Sequence, residues 1–245
     1  MHEEPPGWFK EQVMAILIIE MGVPPGRIPE KCGETAQWFI NQLAGFGKKA
    51  EVVRPYRGDA LPDPDSVKGA VITGSWAMVT DRADWSERTA DWIRQAMVID
   101  TPLLGVCYGH QLMADALGGK VGTNPYGGEK GSFTVTLTEA GKRNPLLDGF
   151  PDTFDANLFH EQSVLTPPEQ AEILAFSEKD GCQMLRYGTS SFSVQFHPEF
   201  TKEILTAAWE DAVGEGMPVT CPIAENTPWP RRILQNFCIM AEDIG

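Results

Sequence analysis

The heptapeptide Gly105-Val106-Cys107-Tyr108-Gly109-His110-Gln111 constrains this chain more than any other stretch. It follows the apolar run Pro102-Leu103-Leu104 and leads into Leu112-Met113-Ala114-Asp115-Ala116-Leu117-Gly118-Gly119. That order reads as a buried strand, one abrupt turn, and a short helix stopped by glycines. A cysteine at such a turn lies beside a helix N-terminus, where the dipole and free backbone N–H groups favour the thiolate, its nucleophilic form. Gly105 and Gly109 remove side chains that would crowd a strained turn. A cysteine after an apolar strand is ordinarily a small buried hydrophobe. The glycine bracket and the strand-to-helix switch bring a nucleophile elbow level with that reading.

The deciding segment lies ninety residues downstream, in Ser193-Val194-Gln195-Phe196-His197-Pro198-Glu199-Phe200. It reads as an alternating strand ending in His-Pro-Glu. Residues i and i+2 of an extended chain point to one side, and Pro198 biases His197 away from helix. His197 and Glu199 are therefore expected to project together, a base with a carboxylate that fixes its tautomer and stabilises its protonated form. His197 alone is more often a satisfied core or surface histidine. Together with Cys107 it completes the nucleophile, base and orienting group that covalent catalysis needs.

These pieces resemble the class I (triad-type) glutamine amidotransferase family, closest to the glutaminase domain of GMP synthase and its free-standing relatives. The matching stretches are Gly105–Gln111, Gln195–Phe200 and Gly69-Ala70-Val71-Ile72-Thr73-Gly74-Ser75-Trp76, and the resemblance runs from about Ile16 to about Phe237. It implies a flavodoxin-like fold and attack of the Cys107 thiolate on the side-chain amide of glutamine. His197 is then the acid/base and Glu199 its partner; ammonia leaves, and water hydrolyses a γ-glutamyl thioester. The implied oxyanion donors are backbone N–H groups of Tyr108 and of the Gly74-Ser75 turn, each worth roughly 3–4 kcal/mol. Ser75 departs from the commoner second glycine, which a main-chain donor tolerates if its backbone angles suit a side chain. Gln111, one helical turn after Cys107, is implied to hold the substrate's α-amino acid end. Asn157-Leu158-Phe159-His160-Glu161-Gln162-Ser163-Val164 resembles the family's Ser-His-Gly-Asp-x-Val substrate segment only in part: His160 agrees, whereas Phe159, Glu161 and Gln162 replace Ser, Gly and Asp. Tyr126–Phe133 resembles the Glu-Ile-Gly stretch of the free-standing relatives; without a Gly-Lys-Ser/Thr ending it is a turn and site wall, not a phosphate loop.

Strand and helix signals alternate through the first half: Val13–Ile19, an amphipathic stretch with Trp38, Phe39, Leu43 and Phe46, then Glu51–Arg54, Ala70–Thr73, a helix near Ser86–Met97, and Leu103–Val106. This predicts an α/β fold, a mostly parallel sheet with helices on both faces and ligands at the carboxyl ends of its strands. Shorter strands at Phe133–Leu137, Glu172–Phe176, Cys182–Tyr187 and Phe192–Phe196 are expected to be antiparallel additions, not a second domain. Residues 1–245 are thus read as one domain, with an N-terminal extension (1–12) and a helical tail (201–245) interrupted by a proline-rich loop (217–230). With 42% hydrophobic residues the chain can fill such a core.

The formal charge of −14 argues against nucleic-acid binding through a basic patch. The longest aliphatic run is too short to span a membrane, and the acidic head Met1–Pro6 is unlike a targeting peptide. Five cysteines without a Cys-x-x-Cys pair fit a cytoplasmic location. Cys107-x-x-His110 without a second cluster is rejected as a metal site, so neither metal nor cofactor is expected. The leading expectation is glutamine hydrolysis supplying ammonia to a separate synthetase, since the chain has no Ser-Gly-Gly-x-Asp-Ser phosphate loop. A γ-glutamyl peptidase or hydrolase is the alternative, and a non-catalytic regulatory subunit the second. A papain-like protease is weakest, because there the cysteine lies near the N-terminus and an Asn completes the triad.

Overall fold

Ile16, Leu17, Ile18 and Ile19 are all buried although consecutive strand residues point to opposite faces, so their sheet is covered on both sides. The computed structural model describes residues 16–213, 223, 224 and 227–244. In chain order the first half contains β1 (Ile16–Ile19), α1 (Ile28–Cys32), α2 (Thr35–Ala44), β2 (Ala50–Val53), β3 (Gly69–Ile72), α3 (Asp84–Val98), β4 (Leu103–Val106) and α4 (Tyr108–Ala116). The second half adds β5 (Lys120–Thr123), β6 (Glu129–Leu137), α5 (Glu139–Lys142), β7 (Thr153–His160), β8 (Gln162–Thr166), β9 (Glu172–Phe176), β10 (Met184–Tyr187), β11 (Ser191–Val194), α6 (Lys202–Val213) and α7 (Pro228–Ile244).

Nine strands form one sheet in the order β2-β1-β3-β4-β11-β10-β9-β6-β7, with β2 to β11 parallel and the rest joined by antiparallel pairings. One face takes Ile16, Ile18, Val71 and Leu104 against Phe39 and Leu43 of α2 and Ile233, Leu234 and Phe237 of α7. The other takes Leu17, Ile19, Ala70 and Ile72 against Trp92 and Ile93 of α3 and Leu112 and Met113 of α4. Each Val, Leu, Ile, Phe or Met among them, fully withdrawn from water, contributes on the order of 1.5–3 kcal/mol before entropy is counted. Among the described residues, no helix is long and apolar enough to cross a membrane.

The mixed α/β architecture expected from the alternating signals is present, with three differences. The segment read as Phe192–Phe196 is β11, which joins β10 through the turn at Gly188 and therefore pairs antiparallel with it. Its other neighbour is β4, and that pairing is parallel, so β11 completes the parallel half of the sheet. Hairpin spacing reveals the local neighbour of a strand but not the distant one. Second, β5 and β8 make a separate two-stranded sheet, which the weak alternation of Lys120-Val121-Gly122-Thr123 conceals. Third, Pro228 and Pro230 belong to the first turn of α7, not to the loop over 217–230; a first helical turn tolerates proline because its N–H groups need no helical partner. The rest of that loop except residues 223, 224 and 227, the extension over 1–12, the first residues of the Val13–Ile19 strand, and Cys221 lie outside the described residues.

The glycines around the elbow are required by contact. A Cβ on Gly109 would lie 2.2 Å from the Ile72 carbonyl oxygen, and one on Gly105 would lie 2.5 Å from the Gly109 oxygen. Both obstacles are backbone, so Gly109→Ala forces β3 and α4 apart. Overpacking of this kind costs roughly 1–3 kcal/mol. Urea unfolding of Gly109→Ala should show a midpoint lowered accordingly, with the m-value unchanged.

Candidate active site at the β4–α4 elbow

Cys107 sits between β4 and α4 with φ 50° and ψ −99°, in the left-handed half of the backbone map that side chains avoid. Three backbone ties hold it there. Its own N–H donates to Val194 O of β11 (2.8 Å), Gly109 N–H donates to Thr73 O (3.2 Å), and Gln111 N–H donates to Cys107 O (3.0 Å). The sulfur is thereby placed at the N-terminus of α4, where backbone N–H groups favour negative charge.

His197 and Glu199 follow β11. They lie in a turn rather than on a strand end, with Phe200 N–H donating to His197 O (3.4 Å). The side chains nevertheless meet: His197 Nδ1 is 2.8 Å from Glu199 Oε1, and both residues are buried. Asn157 on β7 braces this turn, its O accepting from His197 N–H (2.8 Å) and its Nδ2 donating to Phe200 O (3.2 Å). Sequence reading places Asn157 in a substrate segment and misses this role. His197 Nε2 has no hydrogen-bond partner within normal reach, and Cys107 stands next to it, both side chains crowding Gly74: a Cβ there would be 3.1 Å from His197 Cε1 and 3.7 Å from Cys107 Cβ. Burial alone would push the His197 pKa down. The Glu199 carboxylate and then the Cys107 sulfur outweigh that, carrying it up to about 10. The surroundings therefore favour an imidazolium beside sulfur.

A cavity of about 390 Å³ opens over these groups, lined by Cys107, His197, Ser75, Tyr108 and Gln111 among others. The amides of Ser75 and Tyr108 donate to no acceptor among the described residues, so both remain available to a ligand oxygen. Ser75 is not among the residues with positive φ, so the departure from Gly-Gly costs nothing in backbone strain. Gly74 and Glu199 flank the cavity without lining it.

The other expected site residues converge on the same cavity, by routes the sequence does not disclose. Gln111 is buried, and its Nε2 donates to Gln162 O (2.7 Å) and Gln195 Oε1 (3.0 Å), which joins α4 to the β7–β8 turn. Phe159 presents its carbonyl to Cys107 Sγ at 3.9 Å. His160 turns its ring inward, with Nδ1 at 2.9 Å from Gln162 O and Nε2 at 3.2 Å from Glu129 Oε2. Gln162 Nε2 donates to Thr80 Oγ1 (2.7 Å), and Glu161 pairs with Lys130 at 2.5 Å. Glu129, His160 and Asp180 are close enough to share a cation. The Glu129 oxygens, however, already accept from Ser177 Oγ (2.8 Å) and Gln183 Nε2 (2.7 Å), as in a hydrogen-bonded brace. His110 does not line the cavity; its Nδ1 lies 2.7 Å from Ser193 Oγ, and burial pushes its pKa down to about 3.

Comparison with known proteins gives the family and the fold of the chain. Residues 32–209 match the family model described as glutamine amidotransferase class-I. The chain is 31% identical over 171 residues to gamma-glutamyl peptidase 5 of Arabidopsis thaliana, covering 68% of each chain. It is 31% identical over 188 residues to the glutamine-hydrolyzing GMP synthase of Aeropyrum pernix, covering 74% of this chain but only 35% of that protein. The crystal structure of a glutamine amido transferase from Methylobacillus Flagellatus superimposes with a TM-score of 0.73 at 21% identity, over 92% of this chain and 94% of that one, and so has the same fold. An elbow cysteine, a buried His–Glu pair and a matching domain model place this chain in the class I glutamine amidotransferase family.

Proposed function

We propose that the chain hydrolyses the side-chain amide of glutamine through Cys107, His197 and Glu199. The observation that carries this reading is the buried His197–Glu199 contact of 2.8 Å beside a cysteine at the helix N-terminus. The Cys107 thiolate attacks the amide carbon, and the oxygen gathers negative charge while accepting hydrogen bonds from the backbone N–H groups of Tyr108 and of the Gly74-Ser75 turn. His197 gives its proton to the departing nitrogen, the C–N bond breaks, and ammonia leaves a γ-glutamyl thioester. Water, losing a proton to His197, then attacks the thioester and releases glutamate and the thiolate. Gln111 and the turn carrying Phe159, His160, Glu161 and Gln162 form the wall against which the glutamyl part is held. We take the described residues as one such unit, its sheet running through both halves.

Relatives named as GMP synthase, among them a GMP synthase subunit from Methanocaldococcus jannaschii, support delivery of the ammonia to a synthetase on another protein. Co-purification should recover that partner and raise glutaminase activity. A lone chain with full activity and no partner would argue for the second reading, a free-standing γ-glutamyl hydrolase. That reading is supported by relatives named as gamma-glutamyl peptidases.

Three outcomes test the chemistry. Cys107→Ala should lower glutamate and ammonia release from glutamine by roughly a thousandfold or more, leaving the unfolding midpoint near that of the native chain. Glu199→Gln should lower kcat by roughly a hundred- to ten-thousandfold, the usual worth of oriented acid–base catalysis. The same variant should show a linkage effect in urea unfolding. A histidine raised from 6.5 to about 10 contributes stability fully present below 6.5 and lost as pH rises through about 10. The native-minus-variant stability difference should therefore be widest near pH 6.5 and shrink steadily toward pH 10.

A further inference from the structure

We infer that the apolar side of the cavity is a leaving-group subsite, and that the chain acts on γ-glutamyl amides of apolar amines. This rests on the thioester chemistry proposed above and extends its second reading. A cavity of about 390 Å³ falls within the roughly 300–1,000 Å³ typical of small-molecule sites. Ammonia, as a leaving group, needs no wall of its own.

The direction in which a larger leaving group lies follows from the proton it must receive. His197 protonates the nitrogen that departs, so a substituent on that nitrogen extends along the His197 side. That side is aromatic and aliphatic. Phe200 stacks on the His197 ring with centroids 3.9 Å apart and planes at 19°. Phe200 and Trp76 both meet Trp38 edge-on, at 5.5 and 6.4 Å. Trp76, Phe200, Ala208 and Ala212 line the cavity, and the first three belong to or pack on the cluster built by Ile28, Trp38, Ile204 and Leu205. Much of the polar lining lies across the cavity, on Gln111 of α4 and the β7–β8 turn, and α6 adds one carboxylate, Asp211.

The subsite also carries a sign. Asp211 of α6 lines it, held so close to the chain at Gly26 that a Cβ there would lie 2.0 Å from Asp211 Oδ1. The cavity's ammonium, Lys130, is engaged by Glu161. A leaving amino acid, which ends in a carboxylate, meets Asp211 with like charge; a simple apolar amine does not. Acylation forms the Cys107 Sγ–carbonyl bond, breaks the C–N bond and moves the His197 proton to nitrogen, releasing the neutral amine. Water then yields glutamate and restores the thiolate.

The test compares kcat/KM for γ-glutamylbenzylamide, γ-glutamylphenylalanine and glutamine. The benzylamide should exceed both others by roughly tenfold or more, the scale on which an apolar pocket discriminates. Trp76→Ala should cut the benzylamide-to-glutamine ratio by roughly tenfold, and Trp76→Leu by less; near-UV circular dichroism checks that each variant folds. Asp211→Asn should raise the dipeptide-to-benzylamide ratio. Glutamine preferred over the benzylamide, or a ratio unmoved by Trp76→Ala, overturns the subsite while leaving the thioester chemistry standing. No Cys107-dependent hydrolysis of any of the three overturns the chemistry and the subsite with it.

Discussion

The backbone angle at Cys107 is the constraint on which the rest depends. A non-glycine residue at φ 50° persists only where its surroundings over-determine it. Here they do so without side chains. Val194 O takes the Cys107 amide, Thr73 O takes the Gly109 amide, and the glycines at 105 and 109 let α4 descend onto the ends of β3 and β4. The strain is thus balanced by the packing of the central strands, which places the sulfur rigidly at a helix N-terminus. A looser elbow would free the cysteine to relax into the core, the usual fate of a cysteine after an apolar strand.

The same strand order gathers the partners. Because β11 inserts beside β4, the turn that follows it emerges next to the elbow, although ninety residues separate the two in sequence. Asn157 then fixes that turn from β7, and the His197–Glu199 contact is closed inside a buried setting where the carboxylate and the Cys107 sulfur together outweigh desolvation of the imidazole. Pair geometry comes from the turn; proximity to sulfur comes from the parallel pairing. Neither would suffice alone.

This division explains what could be read from the residues. The elbow, the His-Pro-Glu segment and the alternating buried strands are local patterns, and the chain shows them at the expected places. Leu103–Val106 and Glu172–Phe176 coincide with β4 and β9 to the residue. What local patterns conceal is distant pairing. The parallel neighbour of β11, the β5–β8 sheet and the bracing by Asn157 all join segments far apart in sequence. The residue spacing predicts His197 and Glu199 side by side on an extended chain; a turn brings them together instead. The residues at 159–162 illustrate the opposite case. Their departure from the family pattern weakens a side-chain match, yet Phe159 and Gln162 offer main-chain oxygens to Cys107 and Gln111, which any residue type supplies.

In the proposed mechanism, main-chain groups serve the chemistry and side chains serve the choice of substrate. Groups that act on the reacting amide in the proposed mechanism are largely backbone or are fixed by backbone. Groups that would meet the rest of the substrate are side chains on α6, on the segment after β3 and on the turn after β11: Asp211, Trp76 and Phe200. None of the three is an elbow residue, and none supplies an amide to the oxygen in the proposed mechanism. Phe200 alone belongs to both sets, since it stacks on His197 and faces the cavity. A bulky leaving group resting on Phe200 would bear on the ring that stacks on the imidazole. Ammonia offers no such contact, so binding energy from the remote part of the substrate would assist only the larger amides.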